Sequence, residues 1–178
     1  MSDNQLNFRV ATFEDAEPLK ELIQAAFRAE DTREGWVGLA DLAAGFTMDV
    51  NEVKERISSP ISEVLIASNA ENKYLGCVAV SKHGENVARV SWVAVDQKSH
   101  RGGIGRKVLE HAEEFSRQTW GVKTMGLNAL STRGPLIEWY ERRGYKKTGE
   151  LSPFPVAAIN GRALPEGLCF VEMEKEVQ

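Results

Sequence analysis

The stretch that most constrains the fold is residues 87–109, where an apolar strand leads into a basic, glycine-rich loop that opens directly into an amphipathic helix. Gly102, Gly103 and Gly105 let the backbone approach a ligand closely, because no Cβ stands in the way. The first turn of the helix offers unpaired N–H groups and a partial positive charge, both of which attract phosphate. The basic side chains nearby are His100, Arg101, Arg106 and Lys107. The pattern predicts a pyrophosphate site for a nucleotide-like cofactor.

The spacing within this stretch excludes the two most familiar phosphate motifs. A P-loop needs Gly-Lys followed by Ser or Thr, whereas Gly105 is followed by Arg106, Lys107 and Val108. The dinucleotide fingerprint needs a small residue at the position of Val108, three residues after the second glycine. A glycine-rich turn before an ordinary surface helix is the plain alternative, and the density of glycine and basic residues argues against it.

Length and composition bound the class of protein. The 178 residues fit one domain, residues 1–178, with 42% hydrophobic and 27% charged residues, as in soluble globular proteins. A net charge of −4 without a long basic run argues against nucleic-acid binding. No apolar run is long enough for a membrane span, and the N-terminus does not resemble a secretory signal. Cys77 and Cys169 lie in apolar stretches, which predicts buried free thiols and a cytoplasmic location.

Hydrophobic periodicity predicts a mixed α/β (α+β) fold. The expected helices cover residues 14–28, 39–44, 50–57, 104–120 and 135–143, and the expected strands cover residues 7–10, 63–67, 74–81, 87–95, 122–127, 145–148 and 168–173. The strands from 63 to 95 form an antiparallel meander. We therefore expect a partly antiparallel central sheet flanked by helices, and not a doubly wound parallel sheet.

Two motifs resemble the GNAT superfamily of acetyl-CoA-dependent N-acetyltransferases. Residues 100–105, HRGGIG, resemble the family's pyrophosphate loop, Gln/Arg-x-x-Gly-x-Gly/Ala. Residues 135–145, PLIEWYERRGY, resemble a later helix of the usual form Ala-x-x-Leu-Tyr-Glu-Lys-x-Gly-Phe. The chain departs from the pattern at His100, where Gln or Arg is usual, and at Arg133, where asparagine is frequent. The resemblance implies a GNAT-like domain, acetyl-CoA as co-substrate, no metal, and an amine as acceptor.

The resemblance also implies which residues bind acetyl-CoA and which donates a proton. In similar proteins the strand before the loop diverges from its neighbour, which frees backbone N–H groups for the pantetheine arm and the oxyanion. The implied cofactor-binding residues are Trp92, Val93, Ala94, Val95, His100, Arg101, Gly102, Gly103, Ile104, Gly105, Arg106 and Arg133. Tyr140 is the implied general acid, because a phenol stays protonated at neutral pH and can protonate the departing thiolate. On helical pattern alone Tyr140 is a core residue, and the motif match favours catalysis.

The acceptor side is defined less sharply. Glu30 and Glu34 lie in or beside the connector between the early helices and are candidates to attract a cationic amine or relay its proton, with Asp31 as a substrate-binding candidate. A solvated charged loop is the alternative for all three. Trp36, Phe46 and Phe154 are candidates to line the acceptor pocket, although aromatic residues of this kind more often belong to the core. The three histidines have no ligand spacing, so no metal site is expected.

Three functions remain open from the sequence. The favoured one is acetyl transfer from acetyl-CoA to a primary amine of a small molecule. The alternatives are acetylation of a protein or peptide, and a non-catalytic acyl-CoA-binding module. The partner is then a small-molecule amine, with neither nucleic acid nor membrane involved. A homodimer is left open, because the final strand pairs either within one chain or with a partner.

Overall fold

The computed structural model describes residues 5–30, 47–153 and 167–177, without the side chains of Glu30, His100 and Arg101. The predicted helix at 39–44 and the candidates Asp31, Glu34, Trp36, Phe46 and Phe154 lie outside the described residues. The helices are α1 Ala16–Glu30, α2 Val50–Ser58, α3 Ile104–Trp120 and α4 Gly134–Arg142. The strands are β1 Asn7–Val10, β2 Ser62–Ser68, β3 Tyr74–His83, β4 Val87–Val95, β5 Thr124–Leu130, β6 Lys146–Pro153 and β7 Cys169–Glu176.

The strands form one seven-stranded sheet in the order β1-β2-β3-β4-β5-β7-β6. Its only parallel pair among the described strands is β4 with β5, and every other neighbouring pair is antiparallel. The β2-β3-β4 meander expected from the sequence is present. The mixed, partly antiparallel α/β fold is thereby confirmed.

The core lies on both faces of the sheet, because the central strands are apolar at nearly every position. On β2, Val64 and Ile66 point towards α1 and α2, whereas Leu65 and Ala67 point to the opposite side. We call the first the α1 face. The second is covered by α3 and α4 and is called the α3 face. Burial on both sides explains the short continuous apolar runs of β2 and β3.

Several element boundaries differ from the sequence-based ones for local reasons. The first helix is preceded by a 3-10 turn, Phe13–Asp15, because the Asp15 carboxylate accepts the Thr12 N–H at 2.8 Å. Strand β7 continues to Glu176, because it pairs along the whole of β5. Charged residues interrupt the apolar pattern in the second half of β7, so the hydrophobic pattern alone predicts a strand that ends too early.

The two cysteines differ in their surroundings. Cys77 is fully buried on the α1 face, and burial raises the pKa of its thiol to about 12. Cys169 is only half-buried, so the prediction of a buried thiol is wrong there, because it stands at the start of β7. Both are free thiols.

Candidate active site

The central feature of the site is a fork between β4 and β5. The two strands pair only from Val87–Arg89 to Thr124–Gly126 and then separate, although β4 continues to Val95. Beyond the fork, the edge of β4 that faces β5 has no strand partner in β5. This is the strand divergence that the sequence resemblance implied, and it leaves backbone donors and acceptors of β4 facing an opening.

A β-bulge lies on β4 within the fork. Its register with β3 shifts between Cys77 and Ala79, so that Trp92 and Val93 stand opposite a single residue. Trp92 adopts φ 53°, a left-handed conformation that is rare for a bulky side chain. Strained bulges of this kind cluster at functional sites, where they redirect backbone and side chains. The bulge makes the part of β4 around Trp92 the candidate functional end of the strand.

The glycine-rich loop follows the end of β4. Residues Gln97–Gly102 form a 3-10 turn, and Gly103 then caps α3 with φ 67°. A left-handed conformation at this position is costly for residues with a Cβ, which explains the glycine. The first backbone bond of the helix runs from the Lys107 N–H to the Gly103 carbonyl at 3.1 Å, so the N–H groups before Lys107 are left for a ligand.

Helix α4 reaches the same end of the sheet. A Cβ placed on Gly105 would lie 3.7 Å from the Trp139 ring and 3.7 Å from Val95. Arg133 occupies the N-cap position of α4, after a short turn that follows the end of β5 at Leu130. Because β4 and β5 run parallel, the loops that follow them emerge at one edge of the sheet. The structure thus gathers the glycine loop, Arg133 and the start of α4 at the mouth of the fork.

Among the remaining cofactor candidates, Ile104 is buried at the start of α3, and Val93 and Val95 pack against the same core on the α3 face. Ala94 is buried on the α1 face. Arg106 is exposed and lies 3.8 Å from Glu110. Their side chains therefore mostly serve the core, and the backbone is what this part of the chain offers to a ligand.

Tyr140 is buried on α4 and packs between two aromatic rings. Its ring lies 5.3 Å from that of Trp139 and 5.9 Å from that of Tyr145, both edge to face. Burial, reinforced by the charge of Glu113, raises the pKa of Tyr145 far above its ordinary value. The Lys175 ammonium donates to both oxygens of Glu113 at 2.8 and 2.9 Å. Tyr140 is thus a buried residue within an aromatic cluster, as its helical pattern alone predicts.

A cavity of about 480 Å³ opens beside the bulge on the α1 face. Arg56 of α2 lies in its wall, donates to the Ser91 hydroxyl at 3.1 Å, and has its guanidinium carbon 4.6 Å from the centre of the Trp92 ring. Sequence reasoning missed Arg56. A single arginine in the last turn of an amphipathic helix is typical of an exposed residue that complements the helix dipole, so the sequence carried no signal.

A second polar cluster, centred on Glu172, lies on the α1 face where β4 and β5 begin to separate. The Glu172 carboxylate of β7 accepts from Arg89 at 2.8 Å, Asn128 at 3.1 Å and Ser152 at 2.6 Å. Burial opposes ionisation, but these three donors outweigh it and lower the pKa of Glu172. A carboxylate so well supplied with donors is a weak base, so Glu172 clamps the strands together across the fork.

Within residues 5–30, 47–153 and 167–177, no three His, Cys, Asp or Glu side chains come together as a metal-binding group. No helix in the same ranges has the length and apolar character needed to cross a membrane.

Comparison with known proteins places this architecture in a family. The protein-family model described as the acetyltransferase (GNAT) domain matches residues 60–147 of the sequence. The S-(2-succino)cysteine N-acetyltransferase of Bacillus subtilis is 31% identical over 146 residues, which cover 80% of this chain and 86% of that protein. The chain therefore belongs to the GNAT acetyltransferase family. Because the family's enzymes use acetyl-CoA, the predictions of an acetyltransferase and of its co-substrate are confirmed.

Solved structures of two further acetyltransferases share the fold. Spermidine N-acetyltransferase from Vibrio cholerae, in complex with CoA and spermine, superposes with a TM-score of 0.70 at 14% identity, over 98% of this chain and 96% of that one. Ribosomal-protein-S18-alanine N-acetyltransferase from Escherichia coli superposes with a TM-score of 0.71 at 15% identity, over 98% and 95%. One has a polyamine bound and the other is named for a protein acceptor, so the fold does not determine the acceptor.

Proposed function

We propose that this acetyltransferase moves the acetyl group of acetyl-CoA to a primary amine of a small molecule, by direct attack of the amine on the thioester. The observation that carries the proposal is the fork. It brings an unpaired, bulged strand edge at Trp92 and a glycine-capped helix N-terminus at Gly103 to one end of the sheet. The first suits a thioester carbonyl and the second a diphosphate.

In this proposal the backbone does most of the cofactor binding. The N–H groups of the glycine loop and the first turn of α3 hold the diphosphate, aided by an N–H of His100 and by the positive charges of Arg101, Arg106 and Arg133. The small glycines at 102, 103 and 105 let the phosphate oxygens reach those N–H groups. The backbone of residues 92–95 pairs with the pantetheine arm and stabilises negative charge on the thioester oxygen.

Tyr140 is the proposed general acid. As the amine nitrogen bonds to the acetyl carbon, the carbon–sulfur bond breaks, and the Tyr140 hydroxyl donates its proton to the departing sulfur. The amine attacks in its neutral form, the proton that its nitrogen loses as the amide forms goes to water or to a nearby carboxylate, and Tyr140 regains a proton from solvent. For that step and for attracting the amine we propose Glu30, Glu34 and Asp31, with Trp36 and Phe154 as walls of the acceptor pocket.

The test is release of free thiol from acetyl-CoA in the presence of amines, amino acids, polyamines and short peptides. Replacement Tyr140→Phe is expected to lower kcat by about 10²- to 10⁴-fold and to leave CoA affinity unchanged. Tyr145→Phe is the matched control, because it removes the same hydroxyl from the neighbouring ring. Unchanged turnover in Tyr140→Phe would contradict the proposed acid. Turnover only with peptides would contradict the small-molecule acceptor.

A further inference from the structure

Arg56 is a half-buried cation beside the functional end of β4. Its guanidinium lies on the Trp92 ring and donates one N–H to Ser91, so it contacts a residue of the bulge and the residue before it. Burial lowers the pKa of Arg56 from its ordinary value. The charge remains, because an arginine stays protonated in proteins.

The charge of Arg56 has no ion-pair partner within 4 Å among the residues the structure describes. Glu52, one turn earlier on α2, acts on it only at a distance. A guanidinium has five N–H donors, and the Ser91 hydroxyl uses one of them. A half-buried cation with spare donors is costly without a counter-ion, and its planar fork matches a carboxylate.

We infer that Arg56 binds the α-carboxylate of the acceptor and that the acceptor class is therefore free amino acids, acetylated on the α-amine. This inference rests on the proposed function. In an amino acid only the α-carbon separates the amine from the carboxylate. A carboxylate bound to Arg56 therefore keeps the amine close to Ser91 and Trp92, which Arg56 contacts. The amine nitrogen then bonds to the acetyl carbon, the thiol leaves with a proton, and the amine's proton goes to solvent.

The other charged groups at the cavity agree with this assignment. Glu52 and Glu55 lie in the cavity wall but are exposed, so water and salt screen their charge. His83 lies at the opposite end of the wall, at the end of β3. Arg56 is the less screened charge and the one beside the bulge. It repels polyamines, and a peptide N-terminus offers it an amide in place of a carboxylate. The similar Bacillus enzyme is named for an acceptor that is a cysteine derivative.

The experiment compares each amino acid with its own α-carboxamide as acceptor, because the amide keeps the amine and the side chain and loses only the anion. The set contains the common amino acids and S-(2-succino)cysteine. The variants are Arg56→Gln, which removes the charge, and Arg56→Lys, which keeps it without the fork. Lys54→Gln is the matched control, since it removes an exposed cation of the same helix.

The expected result is a wild-type preference for the acid over the amide, expressed as a ratio of kcat/KM. Arg56→Gln should reduce that ratio roughly 10- to 100-fold, mainly through the KM of the acid. Arg56→Lys should restore part of it, and Lys54→Gln should leave it unchanged. Unchanged affinity for CoA shows that each variant is folded. A ratio that is equal in wild type and Arg56→Gln would overturn the inference.

A separate binding measurement distinguishes failure of this inference from failure of the proposed function. Calorimetry with the CoA-bound protein titrates the same acids and amides without any turnover. If acids bind through Arg56 but no acceptor releases thiol, the proposed function fails and the carboxylate site stands. If thiol is released equally with acids and amides, the proposed function stands and the carboxylate site is refuted.

Discussion

Both faces of the sheet carry an apolar core, but they differ in the polar side chains that join their elements. On the α3 face, helices α3 and α4 pack through a continuous apolar core, in which Ser116 and Glu113 are buried polar residues and the partly exposed Lys175 pairs with Glu113. On the α1 face, polar clusters around Asp15, Arg56 and Glu172 tie elements together. In the proposed function, acetyl-CoA is bound mainly through the backbone of the glycine loop and the first turn of α3. The acceptor contact inferred on the α1 face is instead a side chain, that of Arg56.

The largest effect is expected at Gly103, because the start of α3 depends on the left-handed backbone conformation of this residue. Gly103→Trp is expected to weaken CoA binding by on the order of 100-fold, because about 1–3 kcal/mol of left-handed strain adds to a side chain placed at the helix N-terminus. Gly84→Trp is the matched control. Gly84 has φ 77° and open space around it, in the β3–β4 turn. Calorimetric affinities that fall equally in both variants would refute the loop assignment.

The Asp15 cluster tests whether polar clamps hold the α1 face. The Asp15 carboxylate accepts from Arg9 at 2.7 Å through both oxygens and from Thr12 at 2.8 Å, and the Tyr74 hydroxyl also donates to it. Asp15→Asn is expected to lower the free energy of unfolding by about 1–2 kcal/mol, a modest value because Arg9 is half exposed. Denaturant titration measures the change, and CoA affinity should not move.

The same cluster predicts a pH dependence. Hydrogen bonding to Arg9, opposed by burial and assisted by Thr12 and Tyr74, holds the pKa of Asp15 well below its ordinary 3.8. A carboxyl with a lowered folded-state pKa stabilises the protein above that ordinary value and loses its contribution as the pH falls below it. Unfolding curves of wild type and Asp15→Asn should therefore differ at pH 7 and converge in acid. A constant gap down to pH 2 would contradict the ionic nature of the clamp.

The smallest effect is expected at Glu172. Its carboxylate on β7 accepts hydrogen bonds from side chains of β4, β5 and β6, at the point where β4 and β5 begin to separate. Glu172→Gln keeps the shape and removes the charge that pairs with Arg89. We expect a loss of about 0.5–1 kcal/mol in unfolding free energy, because Arg89 is one-third exposed. A turnover loss much larger than this stability loss would instead give Glu172 a catalytic role.

The difference between the faces also explains what could be predicted from the sequence. The glycine loop, β4 and α4 each arise from a local sequence pattern. Their positions could therefore be predicted from residues 87–109 and 135–145. Arg56 and Ser91 are 35 residues apart, and Arg89 and Glu172 are 83 apart. Such pairs arise only when helices and strands pack, because each side chain alone is an ordinary polar residue. The bulge at Trp92 was equally invisible, since it depends on the register with β3.

The most direct test of the fork as the cofactor site is mapping of backbone amide resonances by NMR on titration with CoA. We expect the largest shifts and slowed hydrogen exchange at the amides of residues 92–95 and 101–106, with the β1–β2 pair unaffected. Changes centred on the α1 face, or on β6 and β7, with residues 92–95 unmoved would contradict it.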